Sequence, residues 1–235
     1  MTRRIRSRAA RLMLPLVLLW PVAAVLADGG ALAALSQGQV SGGLKEALSK
    51  GIDTAVGRLG APGGFLNDEK LRIPLPPALE KADRALRLVG MSGEADELDV
   101  AMNHAAESAV GEAKPVLVRA LKRMSISDAK SILTGGDGAA TEYFRRTSGD
   151  ELRAKFRPIV AQATQKVKLG ELYDRYAGKA ASYGLISGDA ANLDDYVTGK
   201  ALEGLFAVIA EQEHAIRQDP LAAGSALIKR VFGSL

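Results

Sequence analysis

The stretch "LDDYVTGKALEGLFAVIAEQEHAIRQDP", residues 193–220, constrains this chain more than any other. Val197, Ala201, Leu205, Val208 and Gln212 fall on one stripe at helical spacing, and Leu202, Phe206, Ile209 and Ile216 fall on a neighbouring one. Two adjacent stripes cover most of a helix's circumference, so this helix must be buried on more than one side. Asp194 and Asp195 open it, where the macrodipole favours carboxylates, and Pro220 closes it. A helix with that requirement calls for other helices around it.

The remaining sequence supplies them. Leu44, Ala47, Leu48, Ile52, Ala55, Val56 and Leu59 recur with helical period, with Ser41 as a cap and Gly60 as a stop. The segment "GAPGGFLNDEKLRIPLPP" is the one long irregular stretch, because Pro62, Pro74, Pro76 and Pro77 with Gly63 and Gly64 forbid a continuous helix. Pro77 suits the first turn of a helix carrying Leu79, Ala82, Leu86 and Val89 inward. Ser92 or Gly93 opens the next, with Leu98, Met102, Ala105 and Ala109 as its stripe, and Pro115 marks a kink or a fresh start before a helix over 116–124. Short helices are expected over 127–133 and from about 137 to 146. Another resumes at Ser148 and runs through Leu152, Phe156, Val160 and Val167 towards Tyr173 and Tyr176, with Pro158 a second candidate kink. A last amphipathic helix is expected over 221–232. No stretch alternates with period two and no repeat appears, so the expected fold is all-α, a compact multi-helix bundle in one domain.

The N-terminus has a different character. Five arginines precede a short apolar run that holds Pro15 and Pro21 and ends at Val25-Leu26-Ala27, the pattern of a cleaved secretory signal peptide. The expected organisation is therefore a signal peptide over 1–27, a flexible segment over 28–43 and a single all-helical domain over 44–235. The destination is the periplasm, with no stable membrane span once the signal is removed. Cleavage removes five of the 31 basic residues and no acid, so the formal charge of +4 becomes −1. A near-neutral chain with mixed charges lacks the field of a nucleic-acid binder, and nucleic acid is dropped as a partner. The chain has no cysteine, which excludes disulfides, thiolate metal sites and lipidation through Cys together.

The segments "RIPLPPALEKADRALRLVG", "AMNHAAESAVGEAKPVLVRAL", "ILTGGDGAATEYFR" and the long C-terminal helix occur together and in this order. In them the chain resembles a bacterial family known as domain of unknown function 4197, from about Leu44 to the C-terminus. The resemblance implies an exported helical protein and implies no activity, catalytic residue or ligand.

Candidate chemistry is sparse. Gly135-Gly136-Asp137-Gly138 meets neither the P-loop nor the dinucleotide pattern and follows a helix, so it reads as a turn: Gly135 a left-handed stop and Asp137 the cap of the next helix. Glu211-x-x-His214 has di-iron spacing, but its only counterpart, His104-x-x-Glu107, runs in reverse, and no metal site or cofactor is assigned. No Gly-x-Ser-x-Gly elbow occurs. What remains is polar residues on apolar helices. Asn103 and Glu107 lie one turn apart, Arg119, Tyr143 and Arg145 stand on helices able to face them, and Arg72 in the Pro-rich loop can form a rim. These six are the candidate ligand-binding residues, and no catalytic residue is assigned. The reading is a non-catalytic binding or interaction protein of the cell envelope, its partner an unidentified envelope component or small ligand. The alternative is a carboxylate-dependent periplasmic hydrolase with its acid among Glu107, Asp194 and Asp195. N-terminal sequencing of the exported protein should find Asp28 or a residue within a few positions of it; soluble cytoplasmic protein that retains Met1 would remove the export reading.

Overall fold

Where the apolar period is strong, the observed helices follow it closely. The computed structural model describes residues 37–88, 90, 93–166, 168–182 and 193–219, so the expected signal peptide and the helix expected over 221–232 lie outside the described residues. Within them run α1 (Gln37–Leu59), α2 (Pro77–Leu88), α3 (Gly93–Val110), α4 (Ala113–Arg123), α5 (Ile126–Thr134), α6 (Ala139–Lys166), α7 (Leu169–Ser182) and α8 (Leu193–Gln218), with no strand among the described residues. None of these helices is long and apolar enough to cross a membrane. Helix α8 packs against α1, α3 and α6, as its two stripes require, and α6 also lies against α3, α4, α5 and α7. The inner face of α3 is mostly alanine, with Ala95, Ala101, Ala105, Ala106 and Ala109 all buried. Small side chains let neighbouring helix axes approach closely, and that is how α6, α7 and α8 all pack on this one, with α1 and α4 at its margins.

Boundaries depart from the sequence reading where packing overrides local signals. Helix α1 begins at Gln37, so residues 37–43 belong to it and Ser41 lies buried inside it instead of capping it. Val40 packs against the core and extends the helix past the cap residue. The expected break at 147–148 is absent: Thr147 donates to the Tyr143 carbonyl and Ser148 is buried within the continuous α6. Pro158 also stays inside α6, on its exposed side, where water can take the carbonyl that proline leaves unbonded. The real break comes at Lys168, which adopts φ 53°, although no glycine or proline marks the place. Pro115 marks a fresh start, in the first turn of α4. Helix α5 begins one residue earlier than expected, under a capping box in which Ser125 and Asp128 each accept from the other's backbone N–H.

The Pro-rich segment over 60–76 is folded into the bundle. Phe65, Leu71, Ile73 and Leu75 are all buried. Phe65 lies on Gly204 of α8 so closely that a Cβ there would come within 2.6 Å of the ring. Gly204→Ala should therefore force the buried ring to shift and destabilise the protein by about 1–3 kcal/mol, the usual cost of overpacking. Chemical denaturation would measure the loss, and an unchanged midpoint would show that Phe65 can move freely.

Candidate functional site

Asn103 and Glu107, one turn apart on α3, both face the Pro-rich segment. Glu107 is 5 % exposed; its Oε1 accepts the backbone N–H groups of Phe65 at 3.1 Å and Leu66 at 3.2 Å, and its Oε2 meets His104 Nδ1 at 2.8 Å. Asn103 is fully buried and treats Ile73 as a strand neighbour would. Its Oδ1 accepts the Ile73 N–H at 2.8 Å, and its Nδ2 donates to the Ile73 carbonyl at 3.1 Å and to the Asp99 carbonyl at 2.8 Å. From α8, the Tyr196 hydroxyl donates to the Pro74 carbonyl at 3.0 Å. Turns within the segment pair the N–H groups of Gly64, Asn67, Asp68, Leu71 and Arg72 with its own carbonyls, and side chains from α3 and α8 take groups that the turns leave. Arg58 of α1 joins its Asp68 to Glu211 of α8, and holds the Asp68 carboxyl below its usual pKa.

So fixed, the segment forms one wall of a cleft of about 380 Å³ against α2 and α3. Arg72 stands at its rim, ion-paired with Asp99 of α3. Arg87 bridges Asp83 at 2.7 Å and Asp96 at 2.6 Å, and Asp83 also accepts from the Tyr176 hydroxyl at 3.2 Å. Burial and the neighbouring Asp83 push the Tyr176 phenol well above its ordinary pKa, so it stays a donor. Three further lining groups, Arg84, Glu69 and Glu80, take no hydrogen bond or ion pair among the described residues.

The other candidates lie elsewhere. Tyr143 is buried between α6 and α4, its hydroxyl donating to the Ala120 carbonyl at 3.0 Å, and burial raises its pKa. Arg119 pairs with Glu151 on the exposed side of that seam. Arg145 lies over the Phe206 ring of α8 at 4.7 Å and near Glu142 at 3.6 Å. The structure thus joins Arg72 through Asp99 to Asn103, sets Glu107 on the same helix face, and leaves Arg119, Tyr143 and Arg145 outside that group.

The Gly-Gly-Asp-Gly turn is built differently from the sequence expectation. Gly135 is extended (φ −78°, ψ 162°) and not left-handed; it is glycine because a Cβ would lie 2.8 Å from both the Ala139 Cβ and the Ser131 carbonyl. Gly138 carries the positive φ, at 90°. Asp137 does not cap α6. It is 60 % exposed and turns outward to His214 Nδ1 at 2.9 Å. The cap comes from 70 residues away: Glu213 of α8, 3 % exposed, accepts the N–H groups of Ala140 at 3.0 Å and Thr141 at 2.9 Å and the Thr141 hydroxyl at 2.8 Å. One turn on, Arg217 pairs with Glu213 at 2.9 Å and donates to the Ile132 carbonyl at 2.8 Å and the Gly135 carbonyl at 3.3 Å. An anion therefore sits at the start of α6 and a cation at the end of α5, each where the helix dipole favours it. The missed residues had one visible signal, an ionisable group at a position belonging to the apolar stripe that runs from Ile209 to Ile216.

With His104 and His214 each facing a single carboxylate, no group of three or more His, Asp or Glu among the described residues is arranged to hold a metal. Asp194 accepts from the Thr164 hydroxyl at 2.8 Å, and Asp195 pairs with Arg157 at 3.0 Å. These features define an all-helical protein whose irregular segment is clamped from the core to wall an open polar cleft. The chain belongs to the family described as "Protein of unknown function (DUF4197)", whose model matches residues 34–233. No curated protein and no solved structure matches it.

Replacing Glu213 by Ala would leave buried N–H groups and the Arg217 guanidinium unpaired, at an expected cost of about 3–5 kcal/mol. Asp137→Ala should change stability by less than about 0.5 kcal/mol, as exposed positions do. Equal losses from the two substitutions, measured by urea denaturation, would contradict this assignment of the cap.

Proposed function

We propose that this is a non-catalytic binding protein of the bacterial envelope, exported by its N-terminal signal, which holds a small polar ligand in the cleft between the Pro-rich segment, α2 and α3. The observation that carries the reading is the contrast in commitment among charged groups. Among the described residues, Arg84, Glu69 and Glu80 face the cleft without side-chain partners, whereas the three carboxylates a hydrolase would use are already engaged by Phe65, Leu66 and His104 (Glu107), by Thr164 (Asp194) and by Arg157 (Asp195). Unpartnered groups of both signs suit a ligand with an anionic group for Arg84 and hydrogen-bond donors for Glu69 and Glu80. Arg72 supplies the rim, and Asn103 and Glu107 act one step behind it by setting the wall.

Native mass spectrometry of protein purified from its host tests this. A bound small molecule should accompany the wild type and be lost from Arg84→Glu, with the helical circular dichroism unchanged. A wild type that carries no ligand, or that shows turnover abolished by Asp195→Asn with folding intact, would overturn the reading in favour of the hydrolase.

A further inference from the structure

The formal charge of −1 expected for the mature chain conceals a separation of charge along the sequence. Residues 112–168, which contain α4, α5 and α6, carry twelve Lys and Arg against six Asp and Glu, while the rest of the chain after residue 27 carries fourteen against twenty-one. The excess is strongest where α4 ends and α5 begins. Lys122 and Arg123 occupy the last turn of α4. Lys130 follows on α5, exposed, and the Arg146 guanidinium of α6 lies 5.9 Å from the centroid of the Tyr143 ring; the Asp128 carboxyl is held low by the Ser125 cap first and by Arg146 to a smaller extent. Burial raises the Tyr143 phenol's pKa, and Arg123 and Arg146 each oppose that rise. Of the acids nearby, Asp128 is committed to the Ser125 cap and Glu151 to Arg119, with Arg123 at 3.9 Å, while Asp150 lies one turn after Arg146 on the exposed side of α6.

Between Arg123 and Lys130 in the chain stands Ile126, 53 % exposed, the first residue of α5 and one turn before Lys130 on the same helix face. A large apolar side chain held out at a helix start gains nothing from water. Next to a nucleic acid or a soluble polyanion it would gain nothing either. At a bilayer it can enter the headgroup region while the lysines and arginines around it meet lipid phosphates.

We infer that the tip between α4 and α5, with Ile126 and the cations Lys122, Arg123, Lys130 and Arg146, docks this protein reversibly onto an anionic lipid bilayer surface. The tip is separate from the cleft lined by Arg72 and Arg84, so docking does not depend on ligand binding. Each cation near an anionic surface strengthens attachment by about fivefold, which makes four of them and one inserted side chain a peripheral attachment that salt weakens.

Co-sedimentation of the full chain, without detergent, with phosphatidylglycerol-rich vesicles and with phosphatidylcholine vesicles is the test. Comparing variants of the same chain cancels any contribution from the N-terminal apolar run. Binding should require the anionic lipid and fall as salt is raised. It should weaken at least about tenfold in Lys122→Glu/Lys130→Glu and measurably in Ile126→Ser, while Lys81→Glu/Lys200→Glu, an equal change in charge elsewhere, should leave it far less affected. Equal binding by wild type and the double variant, or none by the wild type, would overturn the inference. So would binding that duplex DNA displaces completely while Ile126→Ser behaves as wild type, since that pattern belongs to a polyanion site.

Discussion

Where the helical ladder stops inside the core of this protein, buried N–H and C=O groups are left that have to find partners there. With no cysteine to staple a loop, the burden falls on polar side chains projecting from the central helices. Asn103 and Glu107 of α3 do this for the segment over 60–76, and Glu213 and Arg217 of α8 do it for the turn between α5 and α6. Both sets are embedded in apolar stripes, so the packing that buries each helix also delivers the polar group to the chain break it satisfies. Such groups are costly to remove because their partners would be left bare in a low-dielectric interior. That makes α3 and α8 structural references for the rest of the chain, and the cleft inherits its shape from them.

The sequence made the helices legible wherever the apolar period was uninterrupted, as in α1, α2, α3 and α8, because that period is a direct consequence of one face meeting a core. It misled at α6. Ser148 looks like a cap and Pro158 like a break, yet a helix packed along most of its length against α3, α4 and α8 keeps going through both. It was silent at Lys168, where no turn residue marks the break. The site shows the same division. That Asn103 and Glu107 are special was visible from polar residues beside an apolar stripe, but what they hold was not, since their partners lie 30 to 42 residues away on an irregular segment. Asp137 was misassigned for a related reason: a local cap can be read from spacing, whereas a cap supplied by Glu213 across the fold cannot.

Charge is subject to the same caution. A chain-wide sum close to zero discards position, and here position matters: cations gather on α4 to α6 while Asp83, Asp96, Asp99 and Glu94 gather around α2 and α3. All four of that second group are occupied, since Arg87 bridges Asp83 and Asp96, Arg72 takes Asp99 and Lys179 takes Glu94. These pairs tie α2, which otherwise has a narrow contact with the bundle, to α3, and Lys179 ties α3 to α7. Being largely exposed, they contribute modestly to stability and more to orientation.

Hydrogen-bond capacity, more than chemical type, separates the framework from the binding surface in such a protein. A carboxylate has about four acceptor sites and an amide side chain two donors and an acceptor. Glu213 receives two backbone N–H groups, a hydroxyl and a guanidinium, and Asn103 receives one N–H and gives its own to two carbonyls, so neither has much left to offer a ligand. Arg84, Glu69 and Glu80 line an open cleft and spend none of their side-chain capacity on other described residues. In a helical bundle the residues that stand out in sequence, because they interrupt an apolar face, tend to be the satisfied ones, since burial without partners would be unaffordable. The residues free to bind are the ordinary charged ones on the surface, and only the fold distinguishes them from their neighbours by placing a wall opposite them.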